Sequence, residues 1–337
     1  MVSPFNIEEL YPDVATGSVR LPRRQAHSSP QNLAVTLLAD YTMWARAWLP
    51  SAAIVALLAE AGVNAAGGRT AISRLTRRGV IENSRQGRRS SYRLTQAAAD
   101  NLARGGQWIA RFAAEPESWD GRWTLIAFSL PQEASAQRRA LRGQLRWYGY
   151  APLYDGLWVS PYEPDEKVIA ELAKITPGTA SVFRARHVEI AAIASQRPID
   201  AWDTATVARR YDSFIQHWRE LLPGVEAGTI TGAAAVRART EVMDAYRRFP
   251  TLDPRLPTEL LPSGWPRRAA REVFVAVYDG LARPAEEHVR AVAGRYGAGP
   301  LSDIRAHTTT DLRELGPGRW DRGRDDRPAD AGAGGHR

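Results

Sequence analysis

Apolar residues recur at helical spacing over the first third of the chain, and this pattern predicts four helices and a hairpin. The predicted helices span residues 31–48, 51–61, 64–78 and 95–112. Two short strand-like runs, 80–85 and 90–95, flank the sequence Gln86-Gly87-Arg88-Arg89, which is typical of a hairpin turn. Three helices, a hairpin and a fourth helix in this order indicate a winged helix-turn-helix domain over residues 30–113.

The pattern changes after the aperiodic segment 113–121, and the middle of the chain alternates strands with helices. A strand, a helix, two strands around an Asp155-Gly156 turn, a helix and a strand are predicted over residues 123–130, 135–148, 150–160, 165–175 and 181–190. This is the ferredoxin-like order of elements. We therefore expect a ferredoxin-like domain over residues 122–195.

The rest of the chain is predicted to be mostly helical. Three apolar stripes at helical spacing follow residue 203, and a proline-rich stretch over residues 250–266 separates the last two. These stripes predict a helical effector or dimer domain over residues 200–315. Residues 1–29 and 316–337 lack a sustained period, which predicts a flexible arm and a disordered tail. The expected fold class is α+β with several domains.

Composition excludes several classes of protein. The 337 residues include no cysteine, which excludes disulfide scaffolds, thiol catalysis and cysteine-ligated zinc sites. No apolar run approaches the ~20 residues of a membrane helix, and the first 24 residues lack the apolar core of a signal peptide. We expect a soluble cytoplasmic protein with no membrane partner.

The formal net charge of +8 is unevenly distributed along the chain. Residues 1–113 hold 14 arginines and 7 acidic residues, so nearly all of the excess lies in the first third. Between residues 64 and 93, eight arginines accompany one acidic residue, Glu82. A localised basic excess is typical of a phosphate-binding surface. The alternative is a solvated helix face in an arginine-rich protein.

The helix predicted over residues 64–78 has the pattern of a DNA-reading helix. Ile72 and Leu75, three residues apart, would face the core and leave the polar residues outward. An α-helix fits the major groove of B-DNA, where arginine, serine and threonine bond bases and phosphates. We expect Arg74 and Arg77 to contact bases or phosphates, and the hairpin arginines to contact the backbone or the minor groove. The predicted DNA-binding residues are Arg69, Thr70, Ser73, Arg74, Arg77, Arg78, Arg85, Arg88, Arg89, Ser90 and Tyr92.

Two segments carry a family resemblance. Residues 69–79 (Arg-Thr-Ala-Ile-Ser-Arg-Leu-Thr-Arg-Arg-Gly), together with residues 88–95, resemble the DNA-binding segment of the PaaX family of transcriptional repressors. The proline-rich run 246–266 resembles the C-terminal signature of that family. The pair Gly67-Gly68 departs from the family pattern, which leaves the operator sequence open.

The resemblance covers about residues 30–295 and implies the three domains predicted above. It also implies a homodimer that binds a double-stranded DNA operator and represses catabolism of phenylacetic acid or a related aromatic acid. An aryl-acyl-CoA, typically phenylacetyl-CoA, is implied as the effector that relieves repression.

An aromatic acyl-CoA requires an aromatic-lined pocket and cations for its phosphates. Aromatic and arginine residues of this kind flank the proline-rich stretch. We hypothesise that the effector-binding residues are Tyr246, Arg247, Arg248, Trp265, Arg267 and Arg268. The alternative is that the stretch forms a rigid structural clasp with solvated arginines.

No catalytic, metal or cofactor site is expected. The middle domain resembles the small ferredoxin-like CRISPR-associated endonucleases, but Phe128-Ser129-Leu130-Pro131 stands where those enzymes carry a metal-binding aspartate. Ser213 and His217 share a predicted helix, which offers neither a strained turn nor an oxyanion hole. The six histidines lack metal-ligand spacing. We predict a repressor without enzyme activity, and the alternatives are an enzyme acting on an acyl-CoA or ester and an RNA-binding protein.

Overall fold

The structure of the protein is a computed structural model that describes residues 29–87, 89–114, 118–131, 133–164, 166–176, 179–189, 197–297 and 299–314. The chain divides into two compact units. The first contains the described residues up to 112, residues 218–248 and the described residues from 272 onward, and the second contains those within 113–217 and 249–271. Apart from Ser29, the predicted arm 1–29 and the predicted tail 316–337 lie outside the described residues.

The first third of the chain forms four helices and a small antiparallel sheet with the strand order β1-β3-β2. Polar side chains cap three of the helices. Ser29, Asn64 and Thr95 each accept a hydrogen bond from a backbone N–H in the first turn, which satisfies a donor that the helix leaves unpaired. The elements are α1 (Pro30–Thr42), β1 (Leu49–Pro50), α2 (Ser51–Glu60), α3 (Ala65–Arg77), β2 (Ile81–Gln86), β3 (Arg89–Leu94) and α4 (Gln96–Arg111).

The first helix is shorter than its apolar pattern predicts. The prediction of a helix to residue 48 is wrong, because α1 ends at Thr42. Arg46 adopts a positive φ of 46°, which a continuing helix does not allow. Residues 49 and 50 then pair with β3, where Leu49 lies opposite Tyr92. The apolar residues that follow α1 therefore belong to the turn and to β1 of the sheet.

The middle of the chain forms a four-stranded antiparallel sheet with the strand order β5-β6-β4-β7. The predicted Asp155-Gly156 turn joins β5 to β6, and Gly156 has the positive φ that such a turn requires. The buried core of this part comprises Ile126, Leu141, Leu145, Tyr150, Trp158, Val168 and Leu172. The elements are β4 (Trp123–Phe128), α5 (Ser135–Trp147), β5 (Ala151–Tyr154), β6 (Leu157–Ser160), α6 (Glu166–Ile175) and β7 (Ala180–Ala185).

The regular elements of the remaining described residues are all helices, as their apolar stripes predict. Short 3-10 helices cover Pro198–Ala201, Thr258–Leu260 and Leu301–Asp303. The α-helices are α7 (Thr204–Arg219), α8 (Leu222–Glu226), α9 (Gly232–Tyr246), α10 (Phe249–Leu252), α11 (Arg267–Gly280), α12 (Ala282–Arg295) and α13 (Thr309–Glu314). The mixed α+β class is thus confirmed. Residues of the predicted 200–315 domain occur in both compact units, and the three-domain division stays a prediction.

Among the residues that the structure describes, no helix combines the length and the hydropathy that a bilayer crossing needs.

Arg239 of α9 is fully buried at the polar centre of the first unit. Its guanidinium donates hydrogen bonds to the backbone carbonyls of Tyr278 and His307 and lies 3.7 Å from the centre of the Tyr278 ring. The Tyr278 hydroxyl donates to Oδ1 of Asp40 at 2.9 Å. Burial raises the pKa of Asp40, although the Arg239 charge acts in the opposite direction. One cation thereby links α1, α9, α11 and the segment that precedes α13.

His307 lies in this segment, and its side chain is buried. Its backbone N–H donates to the carbonyl of Asp40 at the end of α1. Burial, together with the positive charge of Arg239, lowers the pKa of His307 to about 4. The imidazole is therefore neutral in the folded protein at pH 7.

We expect the pH dependence of stability to report this buried imidazole. The folded-state pKa lies below the unfolded value of about 6.5, so the unfolded chain binds the proton more tightly and stability falls as pH decreases from about 6.5 to 4. The loss attributable to His307 is roughly 3 kcal/mol. Thermal unfolding as a function of pH should show a flatter acid limb for His307→Gln than for the wild type. The control is His217→Gln, which alters an exposed histidine; equal acid limbs in both variants would contradict the prediction.

Candidate nucleic-acid interface

The helix α3 presents one apolar face and one basic face. Asn64 begins the helix by accepting a hydrogen bond from the Gly67 N–H at 2.8 Å. Ala71, Ile72 and Leu75 are buried. The six residues predicted to contact DNA from this helix are all exposed: Arg69, Thr70, Ser73, Arg74, Arg77 and Arg78. Because residues four apart lie on one helix face, they form two parallel rows.

The glycine pair in α3 has a packing role. Gly68 is buried, and a Cβ at this position would lie 3.3 Å from Cγ2 of Val55 on α2. At Gly67 a Cβ would lie 3.2 Å from Oδ1 of the capping Asn64. The pair lets α3 approach α2 closely and keeps the capping bond unobstructed. Both glycines lie inside the helix, so they do not shorten it.

The hairpin divides its polar residues between two faces. Its register pairs Arg85 with Ser90 and Asn83 with Tyr92, so Arg85, Ser90 and Tyr92 share one face. Arg89 pairs with Gln86 and lies on the opposite face. Arg85 and Arg89 are exposed, whereas Ser90 and Tyr92 are half-buried. The predicted residue Arg88 lies outside the described residues.

A second network anchors the hairpin to the turn after α1. Glu82 Oε1 accepts hydrogen bonds from Arg46 Nη2 at 2.6 Å and Arg93 Nε at 2.7 Å. The Arg93 guanidinium also lies 4.4 Å from the centre of the Trp48 ring. Sequence analysis did not assign these residues a role, although Glu82 is the one acidic residue between positions 64 and 93. Their contacts fix the hairpin against the turn after α1.

The arrangement has the chemistry of a polyanion-binding surface. Four exposed arginines of α3 and the exposed Arg85 supply charge and bidentate hydrogen-bond donors. Hydroxyls of Thr70 and Ser73 add donors and acceptors near the start of the helix. A helix with outward donors in its first turns can reach base edges, and a hairpin beside it can reach the phosphate backbone.

The predicted effector residues at the end of α9 contact their own unit. Tyr246 is fully buried, and its ring stacks on Phe274 with 4.0 Å between centroids. Arg247 and Arg248 both form ion pairs with Asp244. Arg248 is exposed and Arg247 is half-buried.

The other predicted effector residues lie in the second unit, where Arg267 closes the proline-rich stretch. Its guanidinium binds both carboxylate oxygens of Asp253, at 2.8 and 2.6 Å, and donates to the Leu256 carbonyl. Asp253 has no exposed side-chain surface, and it also accepts a hydrogen bond from the Tyr211 hydroxyl. Trp265 packs edge-on against Tyr211, with 6.1 Å between ring centroids. These contacts give Arg267 a structural clasp role, while Arg268 is exposed.

The clasp predicts a contrast between two neighbouring arginines. Arg267→Ala should lower the free energy of unfolding of the second unit by about 3 kcal/mol, because it leaves the buried Asp253 carboxylate without its cation. Arg268→Ala, the control, should change it by less than about 1 kcal/mol. Urea denaturation measures both. Equal urea midpoints for the two variants would contradict a structural role for Arg267, which would then remain a candidate phosphate ligand only.

The positions considered for catalysis lie on α7 and at the end of β4. Ser213 and His217 are exposed on the regular helix α7. Phe128 ends β4, and Ser129 follows it at the place where a metal-dependent nuclease of this type would carry an aspartate.

Comparison with known proteins gives three consecutive family matches along the chain. Residues 29–98 match the family described as PaaX-like protein. Residues 116–196 match the PaaX protein central Cas2-like domain, and residues 202–291 match the PaaX-like protein C-terminal domain.

The similarity extends to a curated relative and to a solved structure. The transcriptional repressor PaaX of Escherichia coli (strain K12) is 31% identical over 244 residues, which cover 71% of this chain and 75% of the relative. The uncharacterized protein Rv0674 from Mycobacterium tuberculosis is 21% identical, with a TM-score of 0.48 over 80% of this chain and 98% of that chain.

Proposed function

The chain belongs to the PaaX family of transcriptional repressors, and we propose that it represses an operon for phenylacetate-type aromatic catabolism. The relationship to a repressor supports a regulator rather than an enzyme that acts on an acyl-CoA or an ester. Such a regulator acts in the cytoplasm, where its operator lies.

The proposal includes a fold for each part of the chain. Residues 30–113 form a winged helix-turn-helix domain, with α3 as the reading helix and the β2–β3 hairpin as the wing. Residues 122–195 form a ferredoxin-like domain, which the strand order β5-β6-β4-β7 supports. Residues 200–315 form the helical effector and dimer domain.

The exposed basic face of α3 carries the DNA-binding proposal. Arg69, Ser73 and Arg77 form one row, Thr70, Arg74 and Arg78 form the other, and Ala71, Ile72 and Leu75 pack behind them. A homodimer would insert two such helices into successive major grooves, so the operator is pseudo-palindromic. Arg85, Arg88 and Arg89 of the wing contact the backbone or the minor groove, and Ser90 and Tyr92 belong to the same proposed DNA-binding set.

The effector of the proposed repressor is an aryl-acyl-CoA such as phenylacetyl-CoA. Arg248 in the first unit and Arg268 in the second unit are the exposed arginines of the hypothesised set, and either of them suits its phosphates. The other members of the set have contacts within their own units: Tyr246 stacks on Phe274, Arg247 pairs with Asp244, and Arg267 and Trp265 belong to the clasp around Asp253 and Tyr211. The effector must bind the DNA-free conformation more tightly, since only a difference in affinity shifts the equilibrium.

RNA binding is the less favoured function. RNA-recognition sheets carry aromatic and basic residues on adjacent strands. The strand β4 instead offers neutral residues: Thr124 lies opposite Arg184 of β7, and Ala127 lies opposite Ser181.

Arg74→Ala tests the reading helix. We expect a loss of about 1–3 kcal/mol of operator binding and a relaxed preference at one operator position, because a base-reading arginine is removed. Gel-shift titration with operator, scrambled duplex and RNA competitors measures both quantities. Arg237→Ala, on the exposed side of α9, is the control. An Arg74 variant with wild-type affinity and preference would show that α3 does not read the operator.

The effector is tested on the same complex. Phenylacetyl-CoA should release the wild type from its operator, whereas free phenylacetate, which lacks the phosphates, should not. The double variant Arg247→Ala/Arg248→Ala should need at least about tenfold more thioester, as expected when phosphate ligands are lost. An unchanged response in this variant would show that these two arginines do not bind the effector. If the thioester does not change operator binding by the wild type, the repressor function stands and phenylacetyl-CoA is not its effector.

A further inference from the structure

The carboxyl end of α12 lies against the tip of the β2–β3 hairpin. Gly297 follows the last turn of α12 with a φ of +71°. A Cβ on Gly297 would lie 2.7 Å from Nη1 and 3.6 Å from Cζ of Arg89. The Arg89 guanidinium therefore occupies the space that a side chain at position 297 would need.

The hairpin register separates Arg89 from the other wing residues. Arg85 and Ser90 share one face of the hairpin, and Arg89 lies on the other. Arg89 is nevertheless exposed and adjacent to the two-residue turn. Its long side chain can leave α12 without moving the strand.

The carboxyl end of α12 offers a nearby cation only a weak electrostatic attraction. The last carbonyls of an α-helix carry a partial negative charge, which attracts a guanidinium within the last turn. Arg295, also in that turn, adds a second positive charge and reduces the attraction. A DNA phosphate carries a full negative charge and binds arginine more strongly.

The same helix also contacts the scaffold of the DNA-binding region. Nε2 of His288 on α12 lies 2.8 Å from Oε2 of Glu60, the last residue of α2. A single helix of the C-terminal part thus contacts both α2 and the wing tip within the first unit.

We propose that the carboxyl end of α12 is a resting position for the Arg89 guanidinium and competes with DNA phosphate for it. The proposal rests on the DNA-binding function proposed above. DNA binding withdraws Arg89 from α12, and by linkage any event that holds α12 against Arg89 weakens DNA binding by the same factor.

Gly297→Ala tests the competition, because its methyl group displaces only the flexible end of Arg89. We expect operator affinity to rise by about two- to fivefold, the range that a helix-end contact of this kind provides. Gly228→Ala is the matched control. Gly228 also has a positive φ, 65°, after a helix, and nothing lies within 4 Å of its Cβ position. It carries the same backbone strain without displacing Arg89, and its affinity should equal that of the wild type.

Arg89→Ala is the second test variant, because it removes the competing guanidinium. It should weaken binding and flatten the slope of log affinity against log salt concentration by about 0.9, as expected for one lost phosphate contact. In this background Gly297→Ala should have no further effect, which a double-mutant cycle measures.

The outcomes separate this proposal from the function on which it rests. A wild type that binds the promoter of its own operon no better than scrambled DNA overturns the proposed function. On a wild type that binds specifically, Gly297→Ala with an affinity equal to or below that of Gly228→Ala overturns the competition alone. An effect of Gly297→Ala that persists without Arg89, or an unchanged salt slope in Arg89→Ala, also overturns it.

Discussion

The buried guanidinium of Arg239 is the interaction on which the first unit depends. An isolated charge without exposure is very unfavourable, so its partners must be supplied by the fold. Two backbone carbonyls and the ring of Tyr278 meet this need, and Tyr278 in turn binds Asp40. Residues separated by more than two hundred positions along the chain are therefore held together by one side chain. The helices of the first third of the chain and the C-terminal helices of the same unit pack around it.

Fewer arginines are available to bind a ligand than the count of basic residues in the sequence suggests. Arg93 and Arg46 are both bound to Glu82, and Arg267 is bound to the buried Asp253. These arginines fix the geometry of a hairpin and of a proline-rich segment. The arginines of α3 and Arg85 remain exposed. In this chain, an arginine bound to Glu82 or Asp253 holds the structure together, and these exposed arginines are available to a ligand; a count of basic residues does not distinguish the two.

Local patterns predicted local structure well. The bounds of α3 and of both hairpin strands agree with the prediction to within one residue, because helical periodicity and the glycine turn are encoded in adjacent residues. The exposure of the six polar residues of α3 followed from Ile72 and Leu75 alone. The burial of Arg239 and the approach of Gly297 to Arg89 were not predictable, since each depends on partners distant in sequence. The early end of α1 at Thr42 was not predicted, because the apolar pattern continues beyond the helix through the turn and into β1.

The close approach of α3 to α2 at Gly68 places the packing contacts of α3 on one side of the helix and its polar residues on the other. Packing is carried by small and aliphatic residues on one side, where Gly68 meets Val55, and every polar position on the other side is exposed. Substitutions in the exposed rows leave the buried contacts intact. The chemistry of the outward face of α3 is therefore uncoupled from the stability of the packing between α2 and α3.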